Sequence, residues 1–566
     1  MNRQDRLHHI QQTTTVSVLI IGGGVNGIGT FRDLALQGVD VLLVDRADFC
    51  SGASAASSHM AHGGIRYLEN GEFRLVREAV EERNRLIKNA PHYVRPLPTV
   101  IPIFKWLSGA FNAPLKFLGL LDKPSERGAA IIKMGLLMYD AYTGSERTVP
   151  RHEFLLRDAA LKRYPQLNSE IVSIAEYYDG LIRSPERLCI ELIADAEAAS
   201  PTAHAVNYVS VVGAAGDHVR LQDELSGETF DIQPQLVINA AGPWIDFANQ
   251  AMGQQSDLIG GTKGSHLVLN HPELRAAIGD HEFFFENSDG RIVLICPLED
   301  RVLIGTSDIR IDNPDEARCT EEEIDYFLSM TARVFPSITV NRSHIVFTFS
   351  GVRPLPAANA KSTGQISRDH SIEVMEPSAT VNFPVLNLVG GKWTTFRAFA
   401  EQTADRVLQR LAKSRQMTTA DQPIGGGKAY PTTPAARAAW IERASETTGL
   451  TNAQLDQLFQ RYGTLAATIG ADIAANRADG AAEPLQHLPS YLQGEIRYLA
   501  RTEKVVHLDD FILRRSSLAM LGMVTKPLLE ELSRLLGAVL GWSAEEQQAE
   551  VDRTVAQLAA QHRMHL

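Results

Sequence analysis

The chain has 566 residues, 44% of them apolar and 22% charged, with a formal net charge of −12. That length supports roughly two to four domains, and the composition suits a large buried core and excludes wholesale disorder. The acidic balance argues against a nucleic-acid partner held by bulk electrostatics. The cysteines Cys50, Cys189, Cys296 and Cys319 form no C-x-x-C pair, which speaks against a zinc knuckle or a disulfide framework and for a reducing compartment. The opening MNRQDRLHHIQQTTT has no apolar signal region, and no stretch reaches the roughly 18 apolar residues of a spanning helix. The expectation is a protein that lies on a membrane if it meets one.

The first element is a short β-branched run, Val16 to Ile21, which reads as a buried parallel strand. Gly22, Gly23, Gly24 and Gly27 follow, then a helical pattern over 28–37 that stops at Gly38, then a second apolar strand ending at Asp45. This is a βαβ unit. Gly22, Gly24 and Gly27 spell G-x-G-x-x-G, where missing side chains permit a tight turn and close approach of backbone to a pyrophosphate. The helix start offers N–H groups and a positive dipole end to that phosphate. Asp45 is placed to accept hydrogen bonds from a ribose hydroxyl. Asn26, inside the same loop, joins the cofactor set.

Further apolar runs at 236–242, 291–297, 301–308 and 384–391 read as buried strands, and helical patterns fall at 72–88, 186–199, 320–334 and 395–413. The fold class expected is α/β: a Rossmann-like dinucleotide-binding domain, an interleaved sheet-rich substrate domain and an α-helical C-terminal domain. The nucleotide segments are drawn at roughly 16–100, 165–260 and 345–413, and the substrate segments at 100–165 and 260–345, within one region 1–413. A Gly-, Pro- and Thr-rich stretch, 414–434, reads as a linker. Residues 435–566 show only helical spacing. No second G-x-G-x-x-G follows a strand, which favours a flavin reduced directly by an organic substrate, although an NAD enzyme stays open on this ground alone.

More specific is SGASAASSHMAHGGIRYLE at 51–69, after GGGVNG. In order come NAAGPW (239–244), KGSH (263–266), IGTSD (304–308), FSGVRPL (349–355), ISRD (366–369), GGKWTTFR (390–397) and LDDFILRRSS (508–517). This ordered set resembles the FAD-dependent, quinone-linked glycerol-3-phosphate dehydrogenase family over nearly the whole chain. Two departures stand out. His59-Met60-Ala61 replaces a lysine-containing segment common in the family, and 180–188 lacks its usual acidic pattern.

The resemblance implies FAD as cofactor, sn-glycerol 3-phosphate as substrate, dihydroxyacetone phosphate as product and a quinone as acceptor. It assigns Arg66, Arg353, Arg368 and Lys392 to substrate phosphate and oxygen contacts, with Tyr67 as a hydrogen-bonding neighbour. Arginine suits phosphate because its planar fork binds in a bidentate way. His62 and His266 both stand near glycines and are candidate bases. The alternative is a catalytic Arg353 that stabilises a developing alkoxide, and the residues leave that choice open. Ser57, Ser58, Gly63 and Gly64 are expected along the flavin, Gly242 against the cofactor, and Gly391, Thr394 and Thr395 at its pyrimidine end.

The apolar stretch 103–121, with Lys105, Lys116, Lys123 and Lys133 in or near it, suits either docking on an anionic bilayer or internal packing. The resemblance favours a cytoplasmic enzyme held peripherally at the inner face of the cytoplasmic membrane. The C-terminal helices either support the substrate domain or mediate self-association, as in a homodimer. Three other functions compete: an oxidase using dioxygen, an amine or amino-acid oxidase on the same scaffold, and a non-catalytic flavin-binding scaffold.

Overall fold

The computed structural model describes residues 3–64, 72–106, 132–133, 135–137, 139, 148–286, 292–357 and 369–566. Two sheets organise residues up to about 410. The first runs in the order Ser371–Met375, Val385–Val389, Thr229–Asn239, Thr15–Ile21, Val41–Asp45, Ala203–Asn207, parallel except for its first pair. Its strands are apolar on both faces because both faces are covered. Val18, Ile20, Leu43 and Ile238 pack on helices Val25–Leu36, Pro185–Ala199 and Phe396–Arg410. Leu19, Ile21, Leu42 and Val237 face the hairpin Val209–Ala215/His218–Asp223 and the N-terminal helix Arg3–Thr13.

The second sheet runs Ile309–Arg310, Thr262–Leu269, Arg301–Gly305, Ile292–Leu298, Glu282–Glu286, Val94–Ile103, Ser173–Ile182, Met60–Ala61. Strand Ile345–Arg353 also pairs with Thr262–Leu269, and Glu153–Leu156 with Ser173–Ile182. The alternation of side chains across a strand sends Leu267, Leu269, Val293 and Ile295 to the helix Glu321–Val334. It sends Val268, Leu294, Cys296 and Phe347 to the C-terminal helices. The last of these, Ala544–His562, reaches the sheet directly: the His562 ring stacks on Phe347 with centroids 4.2 Å apart.

The second sheet runs across the segment boundaries drawn from sequence. Ser173–Ile182 and Ile345–Arg353 lie in stretches drawn as nucleotide segments and Val94–Ile103 straddles the boundary at 100, and all three strands belong to the second sheet. Val94–Ile103 and Ser173–Ile182 pair along their whole length, from Val94↔Ile182 to Ile103↔Ser173. An apolar run announces a buried strand but not which sheet it joins. The helix of the βαβ unit also begins earlier than its pattern suggested, at Val25 rather than 28.

The stretch 414–434 is hydrogen-bonded to the rest of the chain. Gly425, Gly426 and Gly427 are buried, and the Gly426 N–H donates to Glu191 Oε2 at 2.9 Å. Beyond them lie helices Pro434–Thr448, Asn452–Tyr462, Ala466–Ala475, Gln493–Thr502 and Lys526–Leu540, and a π-helical turn Phe511–Arg515. Among the described residues no strand follows Val385–Val389, and no helix is long and apolar enough to cross a membrane.

Candidate active site

Three loops meet at the carboxyl ends of adjacent parallel strands: Gly22–Gly24 after Ile21, Ala240–Gly242 after Asn239, and Gly390–Gly391 after Val389. Open α/β sheets bind ligands at this edge. Two glycines of the first loop are demanded by packing. A Cβ on Gly22 would lie 2.6 Å from the Ala240 carbonyl oxygen, and one on Gly27 would lie 2.0 Å from that of Gly22. Gly24 differs, since a Cβ there would meet only Ser54 Oγ at 3.2 Å. Close packing by the chain's own atoms does not require glycine at 24, and the space it leaves would admit a phosphate.

Ser54 Oγ accepts the Val25 N–H at 2.9 Å, satisfying one of the helix's orphan donors. Asp45 accepts the N–H groups of Gly23 at 2.7 Å and Ala47 at 2.9 Å. Burial nevertheless pushes its carboxyl up to about 6. Each oxygen keeps a lone pair for a further donor. Asn26 Nδ2 donates to the Gly390 carbonyl at 3.2 Å, which ties the first loop to the third. The buried Asn26 Oδ1 and Thr395 Oγ1 have no hydrogen-bond partner among the described residues. Gly242, at φ +58°, has open space where a Cβ would stand. An open cradle at Gly24 and Gly242, together with buried polar atoms awaiting partners, fits a dinucleotide cofactor.

Arg353 ends its strand beside this edge. Its Nη1 donates to Asp308 Oδ1 at 3.2 Å, and its Nη2 to Thr306 Oγ1 at 2.9 Å and the Ser307 carbonyl at 3.1 Å. The next residue, Pro354, accepts the Gly390 N–H at 3.0 Å. Gly351 brings the strand against the serine-rich segment, because a Cβ there would lie 2.5 Å from the Ala56 Cβ. Gly264 leaves space for the guanidinium, whose Nη2 lies 2.4 Å from where a Cβ would be.

His266 Nε2 lies 2.8 Å from Ser58 Oγ, and its ring stacks on Phe349 with centroids 4.7 Å apart. Burial, and then the charge of Arg353, hold the imidazole down to about 3. His266 is therefore neutral near pH 7 and weakly basic. His62 is fixed through its backbone: the Thr394 hydroxyl accepts its N–H at 3.0 Å and donates to its carbonyl at 3.1 Å. Thr394 thus spends its side chain on His62, and its role passes through that contact. Gly63 donates its N–H to Asp179 Oδ1 at 2.9 Å, and a Cβ there would strike the Tyr139 hydroxyl. Ser57 Oγ accepts the His59 N–H at 3.3 Å, and Gly64 adopts φ +72°.

Lys392 follows Gly391 in the third loop and its Nζ is buried. Arg66, Tyr67 and Arg368 lie outside the described residues, as does 107–121 of the apolar stretch. The structure brings together the three glycine loops, Ser58, His62, His266, Thr394 and Arg353. Sequence reasoning missed Asp308, Thr306 and Asp179 as positioning groups. IGTSD was noticed as a motif without a role, and Asp179 carried no local signal. Lys263 of KGSH turns out to be structural, with Nζ bonded to Glu323 Oε2 at 2.8 Å and to the Arg318 carbonyl at 2.6 Å.

Residues 17–406 match the model of the FAD dependent oxidoreductase family, and 417–547 match the C-terminal domain of alpha-glycerophosphate oxidase. The chain belongs to the FAD dependent oxidoreductase family. FAD is accordingly its cofactor. Among relatives of this family member, the glycerol-3-phosphate dehydrogenase of Synechocystis sp. is 34% identical over 532 residues, covering 90% of each chain. The D-erythritol 1-phosphate dehydrogenase of Brucella abortus is 29% identical over 89% of this chain and 94% of its own. The fold is that of the FAD complex of glycerol-3-phosphate dehydrogenase from Bacillus halodurans, with a TM-score of 0.75 at 23% identity over 99% of this chain and 98% of that one.

Proposed function

We propose that this FAD-dependent oxidoreductase oxidises sn-glycerol 3-phosphate to dihydroxyacetone phosphate and delivers the electrons to a quinone. The observation that carries the reading is Arg353, a guanidinium fixed by Asp308 and Thr306 and joined through Pro354 to the Gly390 loop. A fixed cation at the edge of the cofactor cradle suits an anionic substrate. The names of the Synechocystis and Bacillus halodurans proteins point to the same substrate.

Bound FAD would supply the hydride acceptor for oxidation at C2 of the alcohol, with the hydroxyl proton leaving separately. In this reading Gly22, Gly24, Asn26, Gly27, Asp45, Gly242, Gly391 and Thr395 hold the cofactor. Arg353 orients the substrate oxygens and stabilises the developing alkoxide, with Lys392, Arg66, Tyr67 and Arg368 completing the anion contacts. Ser58, positioned by His266, and the His62 segment, positioned by Thr394, line the reacting face beside Gly63 and Gly64. His62 then remains the better candidate base, because His266 resists protonation.

The test is an anaerobic titration of the holoenzyme with glycerol 3-phosphate, followed at the flavin absorbance band. Stoichiometric bleaching is expected, with faster reoxidation by a soluble quinone than by dioxygen. Persistent colour rejects the substrate, and rapid peroxide formation without quinone rejects the acceptor. D-erythritol 1-phosphate belongs in the same panel because of the Brucella relative. Sedimentation with anionic vesicles tests peripheral membrane attachment, and light scattering tests the homodimer.

A further inference from the structure

We propose that the C-terminal domain sets the position of Asp45, and so the affinity for FAD, through a buried cluster centred on Asp48, Arg514 and Arg515. The inference rests on the reading of Asp45 as the ribose-binding carboxylate.

Asp48 lies three residues beyond Asp45 and is wholly buried. Its Oδ2 accepts Arg514 Nε and Arg515 Nη1, each at 2.5 Å, and its Oδ1 accepts Arg515 Nη2 and Asn207 Nδ2, each at 2.9 Å. Both arginines come from the π-helical turn Phe511–Arg515. Arg515 is itself anchored to its own domain by the Glu503 carbonyl, at 2.9 Å from Nε and 2.7 Å from Nη2. Arg514 Nη2 donates to Asp510 Oδ1 at 2.7 Å. Arg553 donates to Asp509 and to Glu550, so every carboxylate of the cluster faces at least one guanidinium. A buried acid stays ionised only when it is paired and hydrogen-bonded in this way.

The grip reaches the ribose site by two routes. Along the chain, Asp48 follows Ala47, whose N–H donates to Asp45 Oδ1. Across the sheet, the Ala47 carbonyl accepts the Tyr208 N–H at 3.1 Å, and the Tyr208 hydroxyl donates to Asp510 Oδ1 at 2.6 Å. The loop then returns to the dinucleotide turn, where Cys50 N–H donates to the Gly23 carbonyl at 2.8 Å. Gly23 is also a donor to Asp45. The loop bearing the carboxylate is thus held at Ala47, Asp48 and Cys50, two of these by way of the C-terminal domain. Asp48, Tyr208, Arg514 and Arg515 are positioning residues that touch no substrate.

The experiment titrates full-length apoprotein with FAD and follows the quenching of flavin fluorescence, with thermal unfolding measured in parallel. Arg515→Lys and Asp48→Asn each remove charge-assisted bonds, and each is expected to raise the FAD Kd about tenfold or more. Glu495→Gln is the control. It breaks an equally buried cluster within the C-terminal domain, with Arg461 at 2.7 Å and the Tyr462 hydroxyl at 2.6 Å. Its melting temperature should fall while FAD affinity stays put. If Asp48→Asn does not fold, Arg515→Lys decides the matter. FAD affinity within about twofold of wild type in Arg515→Lys, or equal weakening in Glu495→Gln, overturns the proposal. Asp45→Asn tests the underlying reading separately: normal FAD binding in that variant removes the ribose assignment itself.

Discussion

Ser58 Oγ and His266 Nε2 lie 2.8 Å apart, joining the serine-rich segment to a strand of the second sheet. The imidazole is held down to about 3 by burial and then by Arg353, so it stays neutral across the range in which such enzymes work. A limb in the pH–rate profile between pH 5 and 9 must then belong to another group. His266→Asn should lower kcat about tenfold by loosening Ser58, while the apparent pKa of the kcat/KM profile stays where it is. Disappearance or displacement of that limb in the variant would make His266 the titrating base.

Arg353 owes its orientation to Asp308 and Thr306. Arg353→Lys keeps the charge but loses the fork, so kcat/KM for glycerol 3-phosphate should drop about 100-fold. Asp308→Asn leaves the guanidinium in place with a weaker anchor, and a loss of about tenfold is expected. Steady-state kinetics with a dye acceptor reads both. Equal activity of wild type and Arg353→Lys would detach this residue from substrate recognition.

What could be read from sequence was local. Gly22, Gly27 and Asp45 announced themselves because strand, turn, helix and acid follow within one βαβ unit, and their contacts stay within the unit or at the adjoining strand end. The Gly390–Gly391 turn was equally visible, but its bond to Asn26 was not, because nothing in spacing reports a contact across the sheet edge. Lys263 of KGSH had no role assigned from sequence, and the fold pairs it with Glu323, from the capping box of a later helix, a contact that spacing does not report. Asp179 and Arg83, which secure Gly63 from beneath, come from a strand and a helix joined only by the fold.

Glu282 is wholly buried in the second sheet, where Oε2 accepts the Thr99 hydroxyl at 3.0 Å and the Cys296 thiol lies against the carboxyl. Burial, and then Asp179, push its carboxyl up to about 8. The fold therefore holds a proton that the unfolded chain releases above about 4.5. Stability from this group is full below that pH and is lost as pH rises toward 8. Glu282→Gln removes the ionisation, so its advantage over wild type should grow between pH 5 and 8 and level off near 4 kcal/mol, on the order of magnitude. Denaturant unfolding at several pH values measures it. A difference that does not change with pH would mean Glu282 is ionised in the fold.

The glycines at 425–427 offer the sharpest contrast between composition and structure. Gly-Gly-Gly in a Pro- and Thr-rich stretch suggests a flexible joint, but a Cβ on Gly426 would fall 1.9 Å from the Tyr462 carbonyl oxygen. That oxygen belongs to backbone and has no rotamer to yield. The Gly426 N–H is also committed to Glu191, which itself accepts from Tyr93 and bonds His92. Any shift that relieves the clash therefore disturbs a buried network between the two halves of the chain. Gly426→Ala should cost about 3 kcal/mol or more. Gly541→Ala provides the comparison: φ is +81° and nothing lies within 4 Å of its Cβ position, so only left-handed backbone strain applies, about 1 kcal/mol. Urea unfolding of both variants separates the cases, because a free tether would leave Gly426→Ala the milder of the two.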